Sequence, residues 1–125
     1  MMTHITYEDV VAELPAIIAT RGEDFVYRIH SDGDHHNTCT YIHNGEPDCI
    51  IGCYLVSRGV PVDAFEQHEG SGVDTLFGYG WLDEWVTATP EAIALMGNIQ
   101  DNQDMHYPWG EAYTKAVENI EEDEF

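Results

Sequence analysis

The chain has 125 residues, with 24 Asp and Glu against four Lys and Arg, and a formal net charge of −20. That charge repels nucleic acid and anionic membrane, which excludes both as direct partners, and it attracts basic surfaces. Apolar residues make up 43% of the chain, so the acidity belongs to a globular protein with a core and not to a disordered one. Residues 1–120 read as a single globular domain and residues 121–125 as an acidic, disordered tail.

The first helix is expected from Thr6, a capping residue with Asp9 three positions on. Val10, Val11, Leu14, Ile17 and Ile18 share one helical face. Pro15 lacks an amide donor inside this pattern, and Arg21-Gly22 supplies a stop. Residues 24–30 alternate Phe25, Tyr27 and Ile29 with Val26, Arg28 and His30, which predicts a strand. Residues 38–43 predict a second strand, and the polar residues 31–37 would join the two as a hairpin.

Asn44-Gly45 is a turn, and Pro47 suits the first position of a helix carrying Ile50, Ile51, Tyr54 and Leu55, with Gly59 ending it. Gly52 inside that helix points to close packing against a neighbour. Residues 61–69 predict a short helix stopped by Gly70. The glycine-rich middle, with Gly72, Gly78 and Gly80, predicts loop, with Leu76, Phe77, Tyr79, Trp81 and Leu82 buried in it. Thr89-Pro90-Glu91 is a strong helix start, placing Ile93, Met96, Ile99 and Gln100 or Gln103 inward. After a break near His106-Tyr107, Pro108 opens a last helix with Trp109, Ala112, Tyr113, Ala116, Val117 and Ile120 at helical spacing. The fold class is therefore α+β: a mainly helical single domain with a small antiparallel β-hairpin packed on four or five helices.

The run Cys39-Thr40-Tyr41-Ile42-His43-Asn44-Gly45-Glu46-Pro47-Asp48-Cys49-Ile50-Ile51-Gly52 resembles a pattern in small actinobacterial and actinophage (mycobacteriophage-type) proteins of unknown function. Arg58-Gly59-Val60-Pro61, Thr89-Pro90-Glu91-Ala92, Gln100-Asp101-Asn102-Gln103-Asp104 and Trp109-Gly110-Glu111-Ala112 are similar to later segments of them. The resemblance spans residues 24–117 and brings no activity with it. It implies a phage or prophage accessory protein acting on a host protein in a bacterial cytoplasm.

The densest group of chemistry-bearing side chains is His30, Asp32, Asp34, His35, His36, Cys39, His43, Cys49 and Cys53. Thiolates and imidazoles are the preferred zinc ligands, so Cys39, His43, Cys49 and Cys53 form the candidate zinc set. Against it, no Cys-x-x-Cys pair is present, and Cys49 and Cys53 stand one helical turn apart. Asp32-Gly33-Asp34 lacks the rest of a calcium loop, with Asn37 at the glycine position and His43 at the terminal glutamate position. Cys39 or Cys49 with His43 would be a nucleophile and base without a visible orienting group. No phosphate loop, nucleophile elbow or HExxH helix occurs, so the expected function is non-enzymatic and without a cofactor. Three cysteines, an odd count, and no signal-peptide pattern argue for a reducing cytoplasm.

Three physical roles compete for the acidity: solvation, adaptation to salt, and imitation of a nucleic-acid backbone. The reading that joins charge to aromatic content is an acidic protein-binding module. It would be steered onto the basic surface of a host protein as a modulator or inhibitor. The candidate contacts are Trp85, Gln100, Asp101, Gln103, Asp104 and Trp109, because aromatic anchors dominate interfaces and the polar run is not required by the apolar periodicity. The alternative is a zinc-binding protein or metal-dependent enzyme built on residues 30–53. An aromatic-rich domain of this size also suits a homodimer.

Overall fold

Helix α1 (Tyr7–Arg21) starts on a complete capping box, and this explains why its start was legible. Asp9 N–H donates to Thr6 Oγ1 and Thr6 N–H donates to the Asp9 carboxylate. These hydrogen bonds, with Arg58 nearby, hold the Asp9 carboxyl below its ordinary value. Pro15 is exposed within the helix and does not end it. Gly22, at φ 103°, stops it and returns its N–H to Ile18 O. The computed structural model describes residues 3–27, 41–43, 45–66, 68 and 71–124.

The described residues form two small sheets. Strand β1 (Thr3–Ile5) pairs in parallel with β4 (Val86–Ala88), with Ile5 and Val86 buried. Neither strand was expected, since three residues are too few to show a period. The antiparallel hairpin is β2 (Ile42–His43) with β3 (Glu46–Pro47), turning through Gly45 at φ 79°. It is shorter than the expected hairpin and displaced along the chain.

The expected strand over residues 24–30 is not formed in its described part. The Phe25 carbonyl, which a strand would spend on a ladder, is spent on the last helix instead, as is that of Glu23 just before it. Trp109 N–H donates to Phe25 O and Gly110 N–H to Glu23 O. Tyr27 is buried, and its hydroxyl donates to Asp48. Residues 28–40, which carry the remainder of that strand and its loop, lie outside the described residues.

Pro47 also departs from expectation. It pairs with Ile42 in β3, and α2 (Ile50–Ser57) begins three residues later with Cys49 as its N-cap. Gly59, at φ 105°, lies just past the end of α2 as expected. A short 3-10 turn (Val62–Phe65) stands where a helix over residues 61–69 was expected. The glycine-rich middle contains a helix, α3 (Val73–Gly78). Helices α4 (Pro90–Asp104) and α5 (Trp109–Glu124) complete the chain. Thr89 caps α4 by accepting from Ala92 N–H, with Pro90 at N1.

Helix α4 is the hub, packing against α1, α2, α3 and α5. Its inward residues are Ala92, Leu95, Met96, Ile99, Gln100 and Gln103. Around it the core gathers Leu14, Ile18, Ile50, Tyr54, Leu55, Phe65, Leu76 and Trp109. The molecule is thus α+β and mainly helical, with a small antiparallel hairpin. Among the described residues, no helix is long and apolar enough to cross a membrane.

Candidate functional site

The six residues expected to face a partner do not form one surface. Trp109 is fully buried, edge-on to Phe25 with ring centroids 4.9 Å apart, so it is core and not a contact. Gln103 and Gln100 are also buried. Asp101 is exposed, while Asp104 and Trp85 are half-buried. The polar run on α4 therefore splits between interior and exterior, as helical spacing requires.

The two glutamines have a structural role. Gln103 Oε1 accepts from Ile50 N–H, the first amide of α2, at 2.8 Å. Gln100 Oε1 accepts from Val73 N–H, the first amide of α3, at 2.9 Å, and its Nε2 donates to Tyr41 OH. Tyr41 OH in turn donates to Ser71 O. Each glutamine thus supplies from a distance an acceptor for a helix start that would otherwise bury an unpaired donor. Gln103→Leu is nearly isosteric but leaves Ile50 N–H unsatisfied, so urea unfolding should show a loss of about 2 kcal/mol. Unchanged stability would mean that Gln103 does not cap α2.

The candidate zinc residues are separated by burial. His43 is exposed on β2, Cys49 is fully buried at the start of α2, and Cys53 is half-buried one turn later. Cys49 Sγ accepts from Gly52 N–H at 3.4 Å, which is a capping role. Burial pushes the Cys53 thiol up, with Arg21 partly opposing, so it is held as the weakly nucleophilic neutral form. Cys39, with His30, Asp32, Asp34, His35 and His36, lies outside the described residues. Among the described residues, no group of three or more His, Cys, Asp or Glu is arranged to hold a metal ion.

The feature that sequence reasoning missed is an exposed stack of rings at the end of α3. Tyr79 and Trp81 were expected to be buried, yet Tyr79 is 73% and Trp81 38% exposed. Trp81 stacks with His68 at 4.0 Å between centroids and 12° between planes, and with Tyr79 at 5.0 Å and 15°. One face of Tyr79 lies against Trp81. Exposure of 73% then leaves its other face open to solvent.

The backbone that displays these rings is a Schellman turn. Trp81 N–H donates to Leu76 O, Gly80 N–H donates to Phe77 O, and Gly80 sits at φ 72°. The left-handed residue between Tyr79 and Trp81 reverses the chain, so the two rings meet face to face. Leu76 and Leu82 on either side of the turn are buried and anchor it. The available signal was Gly80 itself, a C′ glycine two residues after Gly78, but the run of glycines around it reads as loop.

Asp83 is exposed, and its carboxylate lies against Gly80, the residue between Tyr79 and Trp81. Residues 59–114 contain no Lys or Arg, and Asp63, Glu66, Asp74, Asp83 and Glu84 are all exposed there. Burial, and then the charge of Asp74, push the Asp101 carboxyl up. The cations among the described residues are committed elsewhere. Arg58 pairs with Glu13 at 3.1 Å and with Asp9 at 3.5 Å. Arg21 lies over the rings of Phe25 and Trp109, 5.3 and 5.1 Å from their centroids, and Lys115 lies over Tyr107 at 5.2 Å.

Comparison of the chain with models of protein families, with curated proteins and with solved structures finds no match in any of the three.

Proposed function

We propose that this chain is a non-enzymatic, acidic protein-binding module that engages the basic surface of another protein. The observation that carries the reading is an exposed aromatic stack beside the Asp83 carboxylate, in a segment, residues 59–114, without Lys or Arg. Rings supply contact area that loses little conformational entropy on binding, and the carboxylates steer a basic partner toward them. The same charge opposes nucleic acid, the other polymer that stacks on exposed rings. In line with the resemblance to phage and actinobacterial proteins, the partner is a host protein and the chain its modulator.

Steering by charge has a signature in salt. Capture from bacterial lysate should retain a basic protein at low salt and release it at high salt, and the purified pair should repeat that behaviour. A complex whose affinity ignores salt, or no basic protein retained at low salt, would remove the proposal.

A further inference from the structure

We infer that the His68–Trp81–Tyr79 stack is an arginine site, at which the open face of Tyr79 receives a guanidinium from the basic partner while the Asp83 carboxylate, which lies against Gly80 between the two rings, accepts its N–H groups. This rests on the basic-partner reading and adds to it the anchor residue and its place.

Three observations converge on that occupant. The first is the open aromatic face. A planar, weakly hydrated guanidinium stacks on such a face more readily than a compact, strongly hydrated ammonium does. The packing of Trp81 between neighbouring rings also holds the platform in place, which lowers the ordering cost of binding.

The second is charge. The exposed carboxylates that share residues 59–114 with the stack have no lysine or arginine among them. The Asp83 carboxylate lies against Gly80, so a cation arriving at the rings meets an acceptor, and no Lys or Arg of that segment competes for it. A second copy of this chain is a poor occupant, since two chains of charge −20 repel each other.

The third is internal to the molecule. Arg21 shows the same recognition in place: its guanidinium lies over Phe25 and Trp109 while Nη1 and Nη2 donate to the carbonyls of Asp48 and Pro47. That site combines a ring face with nearby oxygen acceptors. The stack offers the same two components at the surface, and none of the described Arg21, Arg58 or Lys115 covers it.

The test uses the full chain with a deca-arginine and a deca-lysine peptide, whose charges are equal. Isothermal titration should show deca-arginine bound roughly fivefold more tightly, the range of an exposed cation–π contact. Tyr79→Ala should abolish that preference while leaving residual, salt-sensitive binding of both peptides. Tyr79→Phe, which keeps the ring, should retain it. In the unmodified protein, the indole N–H signal of Trp81 should shift with deca-arginine more than with deca-lysine, which tests the site without any substitution.

Equal binding of the two peptides, or a preference that survives Tyr79→Ala, overturns the arginine site and leaves the basic-partner reading standing. No binding of either peptide at low salt overturns both. Concentration-dependent shifts of the Trp81 signal without peptide, lost in Tyr79→Ala, would show that the occupant is a second copy and overturn the assignment.

Discussion

Trp109→Ala is expected to cost about 4 kcal/mol in chemical unfolding, the largest effect of any single substitution considered for this protein. The ring is fully buried and packs edge-on to Phe25. Its removal opens a cavity between α5 and the turn after α1, and it takes away one of the two rings beneath Arg21. Net stabilities of small domains are about 5–15 kcal/mol, so the variant would be marginal.

Trp109→Phe separates packing from polarity. The Trp109 indole N–H is buried with no hydrogen-bond partner among the described residues, so phenylalanine removes an unsatisfied donor along with part of the ring. Its cost should be only about 1 kcal/mol. If Trp109→Ala were as stable as the parent, the residue would belong to a surface after all.

Gly52→Ala is expected to destabilise by about 3 kcal/mol, although alanine is the better helix former. A Cβ at this position would overlap the carbonyl oxygen of Tyr41, and it would stand 3.1 Å from both the carbonyl carbon and Cα of that residue. Backbone cannot swing aside as a side chain can. Displacing Tyr41 also disturbs its hydroxyl, which receives Gln100 Nε2 and donates to Ser71.

Gly97 is the control, because it too lies within a helix, and there the nearest atom to an added Cβ is Val73 Cγ1 at 3.9 Å. Gly97→Ala should therefore stabilise by about 0.5–1 kcal/mol through propensity alone. Parallel urea titrations decide the matter. Equal effects at the two glycines would show that close approach to Tyr41 is not what requires Gly52.

The contrast between legible and illegible elements follows where each helix finds its first acceptor. Helices α1 and α4 are capped by Thr6 and Thr89, residues adjacent to them in the chain, and both starts were correctly placed from sequence. Helix α2 was started too early, at Pro47, and α3 was read as loop. Their first amides are satisfied by Gln103 and Gln100, 53 and 27 residues away, and no local pattern records that. Residues 24–27 failed for a related reason, since the Phe25 carbonyl serves the start of α5, beside that of Glu23.

The candidate site was legible only in part. The sequence shows the charge and the aromatic residues, and it allows that one tryptophan stays exposed. It does not show which, because Tyr79 and Trp81 are turned outward by the single positive φ at Gly80. The polar run on α4 suggests a partner surface, but its two glutamines are buried and bind the starts of other helices.

Helix ends are ordinarily where a folded chain frays first. Here the starts of α2 and α3 are each tied to α4 from the core side, and the start of α5 is tied to the turn that follows α1. None of these three ends can open without pulling a second helix or its turn out of place. A molecule fastened this way has few independent parts and gives way as a whole.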